Sequence, residues 1–218
     1  YLGYSFAGAL RDVRLYARAL PGAELAALVA VENLPSASPS ASTPGWAPLP
    51  NLLQVHGFQP GAVAFDGQVV LIGGSSAGHP TTDMKDVAAF DPSSNQWTPL
   101  SSLETGRCSL GAAVLHGKLY VVGGNDKYNP KQSVEVLSSI DGAWTPGVPM
   151  LQARFAHGTA VLEDYIYVAG GAGPAGNQDS VERFGGSSWT TTTSMNGVRC
   201  WLALVAIEVP GIKMLLAF

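Results

Sequence analysis

The stretch Ala113-Val114-Leu115-His116-Gly117-Lys118-Leu119-Tyr120-Val121-Val122-Gly123-Gly124 decides the fold. Two short apolar runs flank His116-Gly117, and the second stops on a glycine pair. Runs this short, rich in Val, Leu and Tyr and bounded by turn formers, read as strands. His116 then falls at a turn between two strands, facing solvent.

Moving outward, the same pattern returns. Glycine pairs stand at Gly73-Gly74, Gly123-Gly124 and Gly170-Gly171, their starts 50 and 47 residues apart. Trp97, Trp144 and Trp189 follow at spacings of 47 and 45, and Arg107, Arg154 and Arg199 repeat those same spacings. An apolar run precedes each glycine pair (Val69 to Ile72, Leu119 to Val122, Ile166 to Ala169), with another before it. Further strands begin at Val87, Val134 and Val181. Independent marks holding one period define a structural repeat of four short strands. A single small sheet cannot bury both faces, but stacked neighbours bury them against each other.

The unit resembles the kelch repeat. Residues 113–124 match its first two strands, Ser180-Val181-Glu182-Arg183-Phe184 its third, and Asp91-Pro92 through Trp97 its third and fourth. The resemblance implies an all-β fold, a partial β-propeller of about three and a half four-stranded blades. It spans residues 46–218, with blades near 54–97, 107–144 and 154–189 and a partial one at 199–218. The first repeat has Gly57 where later ones have arginine, and Ala88 where they have Glu135 and Glu182. In the last, residues 199–218 align with 107–124 after an insertion near Pro210, and Ala217-Phe218 replaces the glycine pair. Trp46, followed by Pro48 and Leu49, resembles an isolated fourth strand. Propellers close with four or more blades, so this set is expected to be open.

Residues 1–33 carry a different pattern. Phe6-Ala7-Gly8-Ala9-Leu10-Arg11-Asp12-Val13-Arg14-Leu15-Tyr16-Ala17-Arg18-Ala19-Leu20, then Ala23-Glu24-Leu25, resembles the final strands of a laminin-G-like (concanavalin A-like) jelly roll. Residues 34–45, rich in Ser, Pro and Ala, have almost nothing to bury and read as a linker. Both ends of the chain are expected to be cut. The jelly-roll resemblance implies a larger multidomain protein, extracellular or at the cell surface, with a cytoplasmic setting as the alternative.

Charge excludes some partners. Twelve Lys and Arg against 16 Asp and Glu give a net charge of −4, with no basic stripe for nucleic acid. The apolar residues 202–218 are interrupted by Glu208, Lys213 and Pro210-Gly211. They read as two strands joined by a Pro-Gly turn, and no membrane insertion is expected. Cys108 and Cys200 follow ladder arginines two blades apart, too distant for a disulfide, so two buried free thiols are expected. His56, His79, His116 and His157 lack metal-ligand spacing, and no cofactor or metal is expected.

Two enzyme-like strings are products of the repeat. Gly74-Ser75-Ser76-Ala77-Gly78 has the letters of a nucleophile elbow, but His79-Pro80-Thr81-Thr82 cannot open the helix that elbow needs. Gly171-Ala172-Gly173-Pro174-Ala175-Gly176 has the letters of a phosphate loop, but Pro174 and a strand follow. No catalytic residue is assigned.

Two readings of the arginine ladder stay open. Arg107, Arg154 and Arg199 either pair with carboxylates between blades, Glu135 and Glu182 being candidates, or line the channel mouth and clamp an acidic partner. In related propellers the loops after Gly-Gly and those entering the next first strand share one face. Here that face would carry Thr81, Thr82, Asn125, Asp126, Tyr128, Asn129, Asn177 and Gln178. Tyr and Asn are common in recognition surfaces. The expected function is a non-enzymatic binding module for a protein, an acidic peptide or a carbohydrate. Two alternatives are the substrate-recognition module of a ubiquitin-ligase adaptor and a fragment of a galactose-oxidase-like enzyme.

Overall fold

The computed structural model of the protein describes residues 50–52, 59–76, 83–127, 129–209 and 211–218. The jelly-roll-like segment, the linker, Trp46, Thr81, Thr82 and Tyr128 lie outside the described residues. Those described contain strands, turns and bends and no helix.

Each unit folds as the strand pattern dictates. The first sheet contains β1 (Gly61–Phe65), β2 (Gln68–Ile72), β3 (Val87–Asp91) and β4 (Gln96–Pro99), antiparallel in that order. The second contains β5 (Gly111–Leu115) and β6 (Lys118–Val122), a small hairpin β7 (Asn125–Asp126) and β8 (Asn129–Pro130), then β9 (Val134–Leu137) and β10 (Thr145–Pro146). Here β5, β6, β9 and β10 form the sheet, and β7 and β8 stand apart. The third repeats this with β11 (Gly158–Leu162), β12 (Tyr165–Ala169), the hairpin β13 (Ala172–Gly173) and β14 (Gly176–Asn177), β15 (Val181–Phe184) and β16 (Trp189–Thr192). Last come β17 (Leu204–Val209) and β18 (Ile212–Ala217), antiparallel from Leu204↔Ala217 to Val209↔Ile212. Gly211, in a turn just before β18, has a φ of 81°, a conformation that suits glycine. No helix among the described residues is long and apolar enough to cross a membrane.

The sheets pack face to face through side chains that alternate along each strand. Between the first two, Val70, Ile72, Val87, Ala89 and Leu103 meet Leu119, Val121, Leu137 and Trp144. Between the second and third, Tyr120, Val122, Val134, Val136 and Met150 meet Ile166, Val168, Phe184 and Trp189. The first strands β1, β5, β11 and β17 lie side by side as the inner edge of this stack. That close approach needs small residues: a Cβ added at Gly158 would lie 2.6 Å from the Cβ of Leu204.

The tryptophans lock one unit to the next. Trp97 Nε1 donates to the Pro50 carbonyl at 3.1 Å, Trp144 to Ser101 at 2.9 Å and Trp189 to Val148 at 2.9 Å. Each acceptor lies four residues after the preceding tryptophan of the sequence ladder, Trp46, Trp97 or Trp144. Pro50 thus holds the repeat position that a fourth strand beginning at Trp46 would give it.

Candidate binding face and the buried arginine ties

Antiparallel topology sends the loops after each glycine pair and the connectors into each first strand to one end of the sheets. The glycine pairs shape that end. Gly123 has a φ of 60°, and a Cβ there would lie 2.5 Å from the Arg154 carbonyl oxygen. Gly74, Gly124 and Gly171 donate their N–H groups to the carbonyls of Arg107, Arg154 and Arg199 at 2.9, 3.0 and 2.9 Å. Each ladder arginine is therefore stitched by its backbone to the preceding blade.

The side chains of Arg107 and Arg154 turn into the following blade. Arg107 Nη1 donates to the carbonyls of Gly123 (3.0 Å) and Ser133 (3.1 Å), and Nη2 reaches Glu135 Oε1 at 2.6 Å. Arg154 repeats this with Gly170 (2.6 Å), Ser180 (3.1 Å) and Glu182 Oε1 (2.7 Å). The carboxylates also accept backbone N–H bonds from Glu104 and Thr105, and from Leu151 and Gln152. Burial pulls both guanidinium pKa values down and the paired glutamates oppose it. Both arginines are 0% exposed. This geometry corrects the channel-mouth reading for these two: their donors point inward, and an external carboxylate has no route to them. Arg199 differs. It is exposed, and its Nη1 donates to the Ala217 carbonyl at 3.1 Å, the place Gly123 and Gly170 hold above.

The loop residues divide in the same way. Asn125, 1% exposed, bridges to Cys108 and accepts its thiol proton at 3.1 Å, so it holds a connector in place. Asp126 pairs with Lys131 at 3.3 Å. Gln178 is half-buried, with Nε2 donating to the Ala153 carbonyl at 3.1 Å. Asn129 and Asn177 are exposed, as is Lys127, whose N–H donates to Asp83 Oδ2 at 2.6 Å. Of the candidate loop residues that are described, Asn129 and Asn177 are exposed, while Asn125, Asp126 and Gln178 are engaged within the chain.

Neither enzyme-like string opens a helix among the described residues. Ser75 is 2% exposed and forms an isolated antiparallel bridge with Asp83. Residues 172–177 form the β13–β14 hairpin, not the start of a helix. Cys108 and Cys200 are free, the first buried and the second half-buried. Burial, then the neighbouring Asp83 carboxylate, which accepts from the thiol form and repels the thiolate, pushes the Cys108 pKa up to about 12. His116 is exposed at the β5–β6 turn, with Asp164 3.5 Å away. Among the described residues no three of His, Cys, Asp and Glu could hold a metal ion.

One feature escaped the sequence reading. Gln59, Ser109, Ala156 and Trp201, each two residues after Gly57 or a ladder arginine, have φ of 54°, 52°, 51° and 59°. Trp201 N donates to Ala156 O at 2.8 Å, Ala156 N to Ser109 O and Ser109 N to Gln59 O at 3.0 Å each. Left-handed backbone costs a non-glycine residue about 1–2 kcal/mol, which these inter-blade bonds offset. The residues that follow, 60–62, 110–112, 157–159 and 202–204 at the starts of the four first strands, line a cleft of about 300 Å³. Four unrelated side chains share the conformation, so only their offset from the ladder could have revealed it.

Four-stranded antiparallel blades, stacked by first strands and tied by a repeated Arg–Glu pair, define the class: an all-β partial β-propeller. The Kelch motif model matches residues 57–104 and 106–151. Kelch-like protein 9 of Mus musculus is 36% identical over 64 residues, covering 28% of this chain and 10% of that protein. An F-box/kelch-repeat protein of Arabidopsis thaliana is 40% identical over 77 residues, 34% of this chain and 16% of that one. The chain therefore spans only a small part of the curated relatives it matches. Among solved structures, YjhT superposes with a TM-score of 0.56 at 16% identity, covering 63% of this chain and 52% of that one. That likeness concerns the fold.

Proposed function

We propose that the kelch blades form a non-enzymatic binding module for a protein or peptide, presented by the loops that follow the glycine pairs. The observation that carries this is the split within those loops. Asn125 and Gln178 are spent on holding connectors, while Asn129, Asn177 and Lys127 stand free on the same end of the sheets. Loops on a rigid scaffold are where recognition residues concentrate. Their mixed polar character suits a protein or peptide surface, with carbohydrate a further candidate of similar chemistry.

A second reading, the substrate-recognition module of a ubiquitin-ligase adaptor, rests on the likeness of the second and third repeats to the kelch repeats of such adaptors. It uses the same loops and adds only the fate of the bound protein.

The test is selection of peptide binders from a display library on the full chain. Affinity is then measured for the Asn129→Ala/Asn177→Ala variant and for His116→Ala at the opposite end. Binding is expected to weaken at least tenfold in the loop variant and to stay unchanged in the His116 variant. Binding untouched by the loop changes would refute the assignment.

A further inference from the structure

Each complete blade leaves its fourth strand as the outer edge of its sheet: β4, β10 and β16 pair with β3, β9 and β15 and with no other strand among the described residues. An open edge offers unpaired N–H and C=O groups to any other strand, and proline is one of the devices that blunt it. The first two blades carry that device at one repeat position. Pro99 and Pro146 each stand two residues after the blade tryptophan, opposite Ala88 and Glu135. The next residues, Leu100 and Gly147, donate their N–H groups inward to the Val87 and Val134 carbonyls, at 2.8 Å each. Backbone groups of an antiparallel strand alternate in direction, so the proline positions face outward, where an N–H has no ladder partner. In the sequence Trp46 is followed by Pro48 at the same offset.

The third blade breaks the pattern. Thr191 replaces the proline, in the same register, opposite Glu182. Its N–H and C=O therefore face away from β15, and the residue is exposed. No charge guards this edge either, since residues 185–198 contain no Asp, Glu, Lys or Arg. The run Thr190-Thr191-Thr192-Thr193 is β-branched throughout, a composition that fits a paired strand. An open outer edge is common to all three blades; the missing proline is particular to β16.

We propose that β16 pairs with β16 of a second copy of this chain, antiparallel about a two-fold axis at Thr191, so that two four-stranded blades join into one continuous sheet. A two-fold interface must be self-complementary, and this strand is. Thr191 and the partner's Thr191 exchange both main-chain bonds, and Trp189 does the same with the partner's Thr193. Thr190 falls opposite the partner's Thr192, and threonines facing each other across strands stabilise the pairing. No like charges meet along the strand, the condition an edge must satisfy to receive its own copy. An edge shaped for a charged foreign strand would carry a complementary charge, and this one carries none. The interface is separate from the loop face and stands or falls without it.

Sedimentation velocity of the full chain over about a hundredfold range of concentration is expected to show a reversible monomer–dimer equilibrium. Thr191→Pro, which gives β16 the residue its sister strands carry, should weaken dimerisation by about tenfold or more, with the Tm of the dilute monomer unchanged. Thr191→Lys sets two like charges face to face at the axis, so its dimer should be weak at low salt and recover in part at high salt. In the unmodified chain the Thr191 and Thr193 amides should exchange more slowly at high concentration than at low. A monomer at every concentration would overturn the proposal, and so would a dimer that both Thr191 variants leave intact. A Thr191 amide protected in the dilute monomer would also overturn it, by assigning the edge to the chain's own residues.

Discussion

The Arg154 guanidinium lies 2.7 Å from the Glu182 carboxylate, with both side chains 0% exposed. The pair joins the connector before β11 to β15, and Arg107–Glu135 makes the same join one blade earlier at 2.6 Å. A buried charge is tolerated when it is paired and hydrogen-bonded. The first repeat obeys the same rule by omission, since Gly57 and Ala88 remove both partners together.

Removing one partner should therefore be severe. Glu182→Ala leaves the Arg154 charge buried and deprives the Leu151 and Gln152 N–H groups of their acceptor, a loss of about 3–5 kcal/mol. Arg199→Ala, at an exposed position, should change stability by less than about 0.5 kcal/mol. Urea unfolding of the two variants checks the contrast.

His157 should make stability depend on pH. It packs against Gly123 where Leu110 packs against Gly73 and Leu202 against Gly170. Neither ring nitrogen has a hydrogen-bond partner among the described residues; the nearby Val122 carbonyl favours the charged form only slightly. Burial first, then the Arg154 charge, lowers its pKa from 6.5 to about 3. The unfolded chain takes up a proton below pH 6.5 that the native state refuses. Stability should fall as pH drops from about 7 toward 3, by about 1.4 kcal/mol per pH unit at most, and level off below. His157→Leu should remove this contribution and raise the Tm at pH 5, as thermal scans across pH will show.

Gly123→Ala tests the close approach of backbones. A methyl group there meets the Arg154 carbonyl at 2.5 Å and sits on a φ of 60°. The substitution should destabilise the chain by more than about 1 kcal/mol, because backbone must move as well as strain. Denaturant midpoints relative to wild type give the number.

The two thiols should differ in reactivity. Cys108 is buried with its pKa pushed up to about 12, so little thiolate forms. With a thiol reagent at pH 8 the native chain should label at half-buried Cys200 first. Cys108 should label on the timescale of opening, as mass spectrometry of time points will show.

Much of the architecture was legible because it is written as a period. Glycine pairs, Val-Glu strands and tryptophans each mark a fixed place in a blade, and the strands formed where the apolar runs stood. The β17–β18 pairing was readable because two breakers split one apolar run. The roles of the arginines were only half legible. Spacing places Arg154 28 residues before Glu182, but nothing linear tells a pair turned inward from a fork turned to solvent. Asn125 misled in the same way, because a polar loop residue looks alike whether it meets a partner or holds a cysteine. The left-handed positions at Ser109 and Ala156 were invisible, because tertiary hydrogen bonds and not residue type impose them.

The buried arginines belong to the architecture, and the glycine-pair loops are proposed to serve recognition. Amide hydrogen exchange of the full chain, free and saturated with a selected peptide binder, tests this most directly. Slowed exchange at residues 125–127, 129–131 and 172–178, with none at the Asp66-Gly67, His116-Gly117 and Glu163-Asp164 turns, is the predicted footprint. A footprint on those turns, or none on the loops, would contradict it.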